Sequence, residues 1–302
     1  MLFNYLRINW TVYEDCLSIL GFNMTILKIL IAGGQMCLRR SYATGSKFVE
    51  TIQDNDTGID IVSMARAPVN SLNTELLGAL KTSLLEAQNN RRKGVILTSS
   101  LPTIFSAGLD ITEMYNTDKK RATDFWSTLQ DTWLTLYSLN IPVAAAINGS
   151  SPAGGCLLAI STEYRVFVEG KYTIGLNETQ LGIAAPKWFM DPFISLMGYR
   201  QAELALLRGS LFKPEEALQI KLVDELAKNK ADAIEKCKNY ILSYNNIPGI
   251  GRTATKLAMR NNLIQWMKEN KEADINQFIG YIMLPKVQAG LKLYIEHLKQ
   301  KQ

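Results

Sequence analysis

Three short apolar runs, separated by helix-like segments, constrain the fold of this chain most strongly. The runs occupy residues 94–98, 142–147 and 164–168. Buried-type strands that alternate with helices are typical of right-handed βαβ units, in which helices cover a largely parallel sheet. We therefore predict an α/β domain, and 302 residues are enough for one such domain with a helical extension.

The chain on either side of these runs divides into a core and a helical tail. Further strands are expected at 47–52 and 60–64, and further helices at 119–138, 234–244, 253–266 and 275–298. We predict a core domain over 43–230 and a C-terminal helical region over 231–302. A helical tail of this kind packs on its own domain or on a neighbouring subunit.

Residues 1–42 are predicted to be a mitochondrial targeting segment. From Met24 to the end of this segment there are three basic side chains and no acidic one, among recurring Ile and Leu. Because the residues before Met24 include two acids, we expect Met24 to be the true start, with cleavage before Ala43 and localisation in the mitochondrial matrix. The alternative is a membrane anchor over 16–38, which Lys28 interrupts, so no integral span is expected.

The sparse histidine and cysteine content excludes several kinds of catalytic site. The one histidine, His297, lies near the C-terminus and is a poor candidate for Ser-His-Asp or Cys-His catalysis. Four cysteines form no metal-ligand spacing, and the glycine patterns of dinucleotide and phosphate loops are absent. The net charge of +5, or about +3 without residues 1–42, is too small to indicate nucleic acid. Catalysis has to rely on carboxylates, lysine or backbone donors, and no metal or redox cofactor is implied.

Two loops of small residues follow predicted strands and can present backbone N–H groups to a ligand. They are Phe105-Ser-Ala-Gly-Leu-Asp110 and Ser151-Pro-Ala-Gly-Gly-Cys156, and each leads into a helix whose positive end faces the loop. Taken alone, the first is explained by an ordinary strand–helix turn and the second by close packing. Downstream, Glu178 lies among apolar residues. A single buried base beside two oxyanion donors suits proton transfer next to a thioester or a similar carbonyl.

Taken together, these segments resemble the crotonase, or enoyl-CoA hydratase/isomerase, superfamily from about Phe48 to the C-terminus. The matching segments read RAPVNSL at 66–72, GVILT at 94–98, FSAGLD at 105–110, AING at 146–149, PAGGC at 152–156 and IGLNETQLGI at 174–183. The resemblance implies a ClpP-like α/β spiral of ββα units with a C-terminal helical trimerisation region. The last segment is similar to the mitochondrial isomerase branch, which moves a 3-double bond to the 2-trans position.

The resemblance also implies roles for individual residues. The backbone N–H groups of Ala107 and Gly154 would form the oxyanion hole, and Glu178 would be the catalytic base. The acyl-CoA substrate would be bound by Arg66, Ala107, Gly108, Leu109, Asp110, Ile111, Gly154 and Trp188. Coenzyme A is part of the substrate rather than a cofactor, and the expected assembly is a homotrimer, sometimes stacked in pairs.

One position distinguishes isomerisation from hydration. Family hydratases carry a second glutamate three positions after the oxyanion-hole glycine, where this chain has Leu157. Hydration needs two carboxylates, whereas a 1,3-proton shift needs only one base, so the sequence predicts an isomerase of 3-cis and 3-trans enoyl-CoA esters. A hydratase or thioester hydrolase, and a non-catalytic acyl-CoA-binding or RNA-binding relative, remain alternatives. Glu113 is the rival carboxylate, and we interpret it as structural.

Overall fold

A seven-stranded sheet forms the centre of the protein in a computed structural model that describes residues 41–300, without the side chains of 41–45 and 298–299. The predicted targeting segment lies outside the described residues except for its last two. The strands of the main sheet are β1 (Ser41–Ser46), β2 (Val49–Asp54), β3 (Ile59–Met64), β4 (Gly94–Ser99), β5 (Val143–Ile147), β7 (Tyr164–Val168) and β9 (Glu225–Ala227). A small second sheet pairs β6 (Ser151–Pro152) with β8 (Ile174–Gly175).

The strand order in the main sheet is β1-β2-β3-β4-β5-β7-β9. The first three strands pair antiparallel, and every later pair is parallel. Parallel neighbours require crossover connections, which the helices supply. The carboxyl ends of β4 and β5 therefore lie at the same edge of the sheet, where the two small-residue loops begin.

Nine α-helices and two short 3-10 helices complete the described part of the chain. The α-helices are α1 (Thr74–Asn89), α2 (Lys119–Ser138), α3 (Gly154–Ser161), α4 (Lys187–Met197), α5 (Tyr199–Arg208), α6 (Pro214–Gln219), α7 (Lys230–Leu242), α8 (Gly249–Ile282) and α9 (Pro285–Gln300). The 3-10 helices are Ile111–Glu113 and Glu178–Leu181. Within residues 41–300, no helix combines the length and apolarity that crossing a bilayer requires.

The central strands are apolar on both faces because both faces are covered. In β4, Val95 and Leu97 belong to the larger core with α1 and α2, whereas Ile96 belongs to the opposite core. This alternation follows from the two-residue period of a strand. Three buried residues of α7, Ala233, Cys237 and Ile241, close the opposite core.

Three features refine the sequence expectations. β1 begins at Ser41, so the predicted targeting segment shares its last two residues with a strand. The two amphipathic segments predicted at 253–266 and from 275 belong to one continuous 34-residue helix, α8, because the run between them is itself packed: Asp274 is buried and accepts from the indole N–H groups of Trp126 and Trp188. α7 falls within the predicted C-terminal helical region, and it packs on the sheet of its own chain, one of the two arrangements expected for that region.

Candidate active site

Glu178 is a buried carboxylate without a partner. It is the first residue of the 3-10 helix that follows β8, and only 7% of its surface is exposed. Neither carboxylate oxygen has a hydrogen-bond partner among the described residues. Because burial penalises the charged form, the pKa of Glu178 rises to about 7. A carboxyl group with such a pKa can both accept and return a proton near neutral pH.

The strand and turn that lead to Glu178 are apolar. Ile174 and Leu176 are fully buried on the strand and turn that lead to it. The second loop lies next to the strand that leads to Glu178, because β6 pairs with β8 and the Ala153 N–H donates to Gly175 O at 2.8 Å. Burial and, secondarily, the charge of Glu178 raise the pKa of the buried Cys156 thiol. Trp188, predicted to bind substrate, is fully buried, and its indole N–H donates to Asp274 at 3.1 Å.

The first loop presents one free N–H group, and it is that of Leu109. The Ala107 N–H donates to the Val69 carbonyl at 2.9 Å, so it is not available as the oxyanion donor that the sequence predicts. The Leu72 N–H donates to Gly108 O at 2.8 Å, and the Leu72 carbonyl accepts from the Asp110 N–H at 3.0 Å. In extended backbone, successive N–H groups point in opposite directions. The Leu109 N–H, which has no acceptor within residues 41–300, therefore points away from Leu72.

The second loop presents the N–H of Gly154. Gly154 opens α3, and its N–H has no acceptor in the described part of the chain. The preceding residue, Ala153, is held at φ 49° and ψ −121°, a conformation that costs an L-residue free energy, and its own N–H donates to Gly175 O at 2.8 Å. The turn into α3 is thus fixed in a strained geometry that leaves the Gly154 N–H unpaired at the start of the helix.

Two glycines keep the space between these N–H groups open. A Cβ added to Gly154 would lie 3.2 Å from the Leu109 nitrogen, and a Cβ added to Gly108 would lie 3.1 Å from the Gly154 nitrogen. Gly108 also has φ 90°, which an L-residue rarely adopts. The two loops therefore meet around a small space into which both free N–H groups can donate.

Neither Leu157 nor Glu113 provides a second free carboxylate. The Leu157 side chain is fully buried in α3, at the place where hydratases carry a second glutamate. Glu113 receives two hydrogen bonds of 2.6 Å from Arg121 and one of 3.0 Å from the Thr74 N–H. Its charge is neutralised and its position fixed, so it is not free to act as a base.

Arg66 and Asp110 form one unit beside the first loop. The Arg66 guanidinium contacts Asp110 at 2.8 Å and donates to Ser71 O at 2.9 Å, while Asp110 caps the 3-10 helix that contains Ile111. Arg66 also faces an open cleft of ≈ 650 Å³. That cleft is lined by Lys47, Phe48, Ala65, Arg66, Ala67, Asn73, Glu75 and Arg121. Arg66 is paired with Asp110, and Arg121 with Glu75 and Glu113, so Lys47 is the one cation of this lining without an ion pair in the described part of the chain.

Sequence reasoning missed the residues that connect the C-terminal helices to the site. The Tyr281 hydroxyl on α8 donates to Gly182 O at 2.6 Å, at the end of the 3-10 helix that starts with Glu178. The Gln288 amide on α9 donates to Met114 O at 3.0 Å and accepts from the Asn116 N–H at 2.9 Å. No local motif marks these side chains, because their partners lie about 100 or more residues away in the chain.

Within residues 41–300, no group of three or more His, Cys, Asp or Glu side chains is placed to hold a metal ion. The residues around Glu178 offer one carboxylate, one thiol and apolar side chains, which is not a ligand set for a metal or a redox group.

Comparison with known proteins identifies the family of this chain. Residues 54–302 match the sequence profile of a family described as Enoyl-CoA hydratase/isomerase. The Mus musculus protein named "Enoyl-CoA delta isomerase 1, mitochondrial" is 40% identical over 284 residues, which cover 91% of this chain and 97% of that protein. The Homo sapiens protein of the same name is 39% identical over 273 residues, which cover 90% of this chain and 89% of that protein.

Solved structures show the same relationship. The crystal structure of human mitochondrial delta3-delta2-enoyl-CoA isomerase has a TM-score of 0.82 and 38% identity, and covers 84% of this chain and 99% of that one. An enoyl-CoA hydratase from Bacillus halodurans has a TM-score of 0.73 at 22% identity, with 82% and 99% covered, which shows the shared fold alone. The prediction of a crotonase-type α/β fold is confirmed.

Proposed function

Because the chain belongs to the enoyl-CoA hydratase/isomerase family, we propose that it is a mitochondrial enoyl-CoA isomerase that moves a 3-cis or 3-trans double bond to the 2-trans position. The observations that carry this proposal are the single unpartnered carboxylate of Glu178, which follows the strand paired with the second loop, and the two free N–H groups of Leu109 and Gly154. Such a reaction would serve the oxidation of unsaturated fatty acids. The relatives named above as delta isomerases support the same assignment.

The mechanism that fits this site uses one base. Glu178 removes a proton from C2 of the acyl thioester, which generates a dienolate with negative charge on the thioester oxygen. The same carboxyl group then returns the proton to C4, and the double bond shifts from C3 to C2. A positioned general base contributes roughly 10²–10⁴-fold in rate. The pKa near 7 suits both halves of this transfer because the group is neither strongly acidic nor strongly basic.

The dienolate oxygen would sit between the two free N–H groups. We assign the donors to Leu109 and Gly154, with Leu109 in place of Ala107, because the Ala107 N–H is already donated to Val69. Each fixed donor in a site that excludes water contributes about 3–4 kcal/mol of transition-state stabilisation. The remaining predicted contacts, at Gly108, Asp110 and Ile111, line the same turn.

The coenzyme A portion of the substrate would lie along the cleft that Arg66 faces. Lys47 has no ion pair within residues 41–300, and together with the N–H donors of Arg66 and Arg121 it suits a ligand that carries phosphate groups. No cofactor is required in this scheme, since coenzyme A arrives as part of the substrate. The matrix location, the cleavage before Ala43 and the assembly into a homotrimer through residues 231–302 belong to the same proposal.

Hydration is disfavoured at this site. A hydratase positions water with two carboxylates, and here Leu157 occupies the second position while Arg121 neutralises Glu113. A non-catalytic role in acyl-CoA binding is also disfavoured. Burying an unpaired carboxylate costs folding free energy, and binding alone does not require such a group.

The test is turnover of 3-trans-hexenoyl-CoA to the 2-trans ester by the full-length chain and by Glu178→Gln. We expect the variant to lose at least 10²-fold in kcat. Glu169→Gln, which changes an exposed glutamate, is the matched control and should retain full turnover. Undiminished turnover by Glu178→Gln would overturn the proposed base, and conversion of 2-trans-hexenoyl-CoA to the 3-hydroxy ester at a comparable rate would favour a hydratase.

A further inference from the structure

Asn70 lies at the point where three segments of the site meet. Its side chain is fully buried, and the two N–H groups of its amide are shared among three acceptors, Ser99 Oγ at 2.7 Å, Phe105 O at 3.1 Å and Met64 O at 3.3 Å from the nitrogen. Its side-chain oxygen accepts from the Arg66 N–H at 2.8 Å. One amide therefore ties the ends of β3 and β4 to the start of the first loop.

The main chain of Asn70 is connected to the same loop. Its carbonyl accepts from Ser106 Oγ at 2.7 Å, and Ser106 Oγ in turn accepts from the Gly108 N–H at 3.2 Å. Asn70 has φ 50°, a left-handed conformation that Asn tolerates better than most L-residues. The chain bends there so that both the amide and the carbonyl face the loop.

These bonds determine the direction of the Leu109 N–H. Five residues of the first loop each form a hydrogen bond with the segment of residues 69–72, namely Phe105, Ser106, Ala107, Gly108 and Asp110. In the described structure the N–H of the sixth, Leu109, forms no such bond. A buried amide with every donor and acceptor satisfied holds a rigid arrangement, whereas its removal leaves several buried groups unpaired.

We infer that Asn70 is a positioning residue for catalysis, which holds the first loop so that the Leu109 N–H points at the developing oxyanion. This inference rests on the proposed function, and it assigns a role to a residue that does not touch the substrate. A displacement of about 1 Å in such a donor costs up to about 10²-fold in rate. Asn70 acts on the transition state through the loop, so substrate affinity is expected to change little.

The test compares Asn70→Gly with the unmodified full-length chain. Glycine keeps the left-handed backbone accessible and removes only the side-chain bonds. We expect kcat for 3-trans-hexenoyl-CoA to fall about 10- to 100-fold while KM changes less than about threefold. Asn116→Gly is the matched control, because Asn116 is exposed and has φ 49°, and it should retain full kcat.

A spectroscopic readout separates positioning from general loss of structure. Bound acetoacetyl-CoA forms an enolate that absorbs in the near ultraviolet, and the oxyanion donors stabilise this enolate. We expect Asn70→Gly to reduce the enolate fraction by a factor similar to its loss in kcat. If Asn70→Gly does not fold, Ser106→Ala, which removes the link between Asn70 O and the Gly108 N–H, carries the same two readouts.

Two results would overturn the inference. One is an unchanged kcat and enolate fraction, and the other is a raised KM with unchanged kcat, which would indicate a role in binding alone. Failure of the proposed function is distinguishable, because it would appear as absence of turnover of 3-trans-hexenoyl-CoA by the unmodified chain, whatever the enolate signal of Asn70→Gly.

Discussion

Two glutamates that are largely removed from solvent have opposite electrostatic environments in this protein. Glu163 contacts Arg252 and, at 2.8 Å, Lys256, where α8 packs against the core. Burial acts to raise the pKa of Glu163, but the charges and hydrogen bonds of Lys256 and Arg252 outweigh it, and the pKa is lowered. Glu178 has no cation and no hydrogen-bond partner within residues 41–300, and its pKa rises to about 7.

The comparison shows that burial alone does not make a carboxylate a base. A buried carboxylate with two cations is held ionised and serves to fix a helix. A buried carboxylate without them is destabilised in its charged form, and this is what makes it able to accept a proton. Glu113, also buried but paired with Arg121, follows the pattern of Glu163.

The largest effect on stability is expected from breaking the Glu163 cluster. Glu163→Ala should lower the free energy of unfolding by about 3–5 kcal/mol, because it leaves Lys256 and Arg252 buried without their partner. Urea unfolding at a fixed protein concentration measures this. Glu203→Ala, which removes an exposed pair with Arg200, is the control and should cost less than about 1 kcal/mol. A similar cost for both variants would show that the Glu163 cluster does not anchor α8.

Replacing the carboxylate of Glu178 is expected to raise the free energy of unfolding at high pH, whereas replacing that of Glu163 lowers it. The folded pKa of Glu178, about 7, lies above the model-compound value of 4.5, so the native state binds more protons than the unfolded state between these two pH values. Stability therefore falls as pH rises from about 4.5 to 7, and the loss is complete above 7. Glu178→Gln should raise the free energy of unfolding at pH 8 by up to about 3 kcal/mol and leave it nearly unchanged at pH 4. Equal stability of the two proteins at pH 8 would contradict this environment for Glu178.

The pH dependence of turnover reports the pKa of Glu178 more directly than the pH dependence of stability does. The base has to be ionised to remove the first proton, so kcat/KM should rise about tenfold per pH unit below 7 and level off above it. The initial rate with 3-trans-hexenoyl-CoA between pH 5 and 9 gives this profile. A midpoint near 4.5 would mean that Glu178 has an ordinary carboxylate environment in solution.

The sequence points to Glu178 and Gly154, as the proposed site does, but to Ala107 rather than Leu109 as the first donor, and the reason is physical. Apolar neighbours around Glu178 and the glycine before an apolar helix are local patterns, which a reader of the sequence can see. Whether the N–H of Ala107 or of Leu109 is free depends on pairing with Val69 and Leu72, which are distant in sequence. The continuity of α8 likewise depends on helix packing rather than on the polar run within it.

The smallest expected effect comes from the contact between α8 and the Glu178 turn. Tyr281→Phe removes one hydrogen bond to Gly182 O, worth about 1 kcal/mol. The turn keeps its own bonds, from the Gly182 N–H to Thr179 O and from the Ile183 N–H to Glu178 O. The variant should therefore lose less than about tenfold in kcat and keep its pH midpoint, since the apolar surroundings of the carboxylate do not change. A midpoint shifted toward 4.5 would show that α8, rather than the local apolar residues, excludes water from Glu178. In that case α8 would keep water away from the carboxylate of Glu178, whereas at Glu163 the same helix supplies the cations that hold the carboxylate ionised.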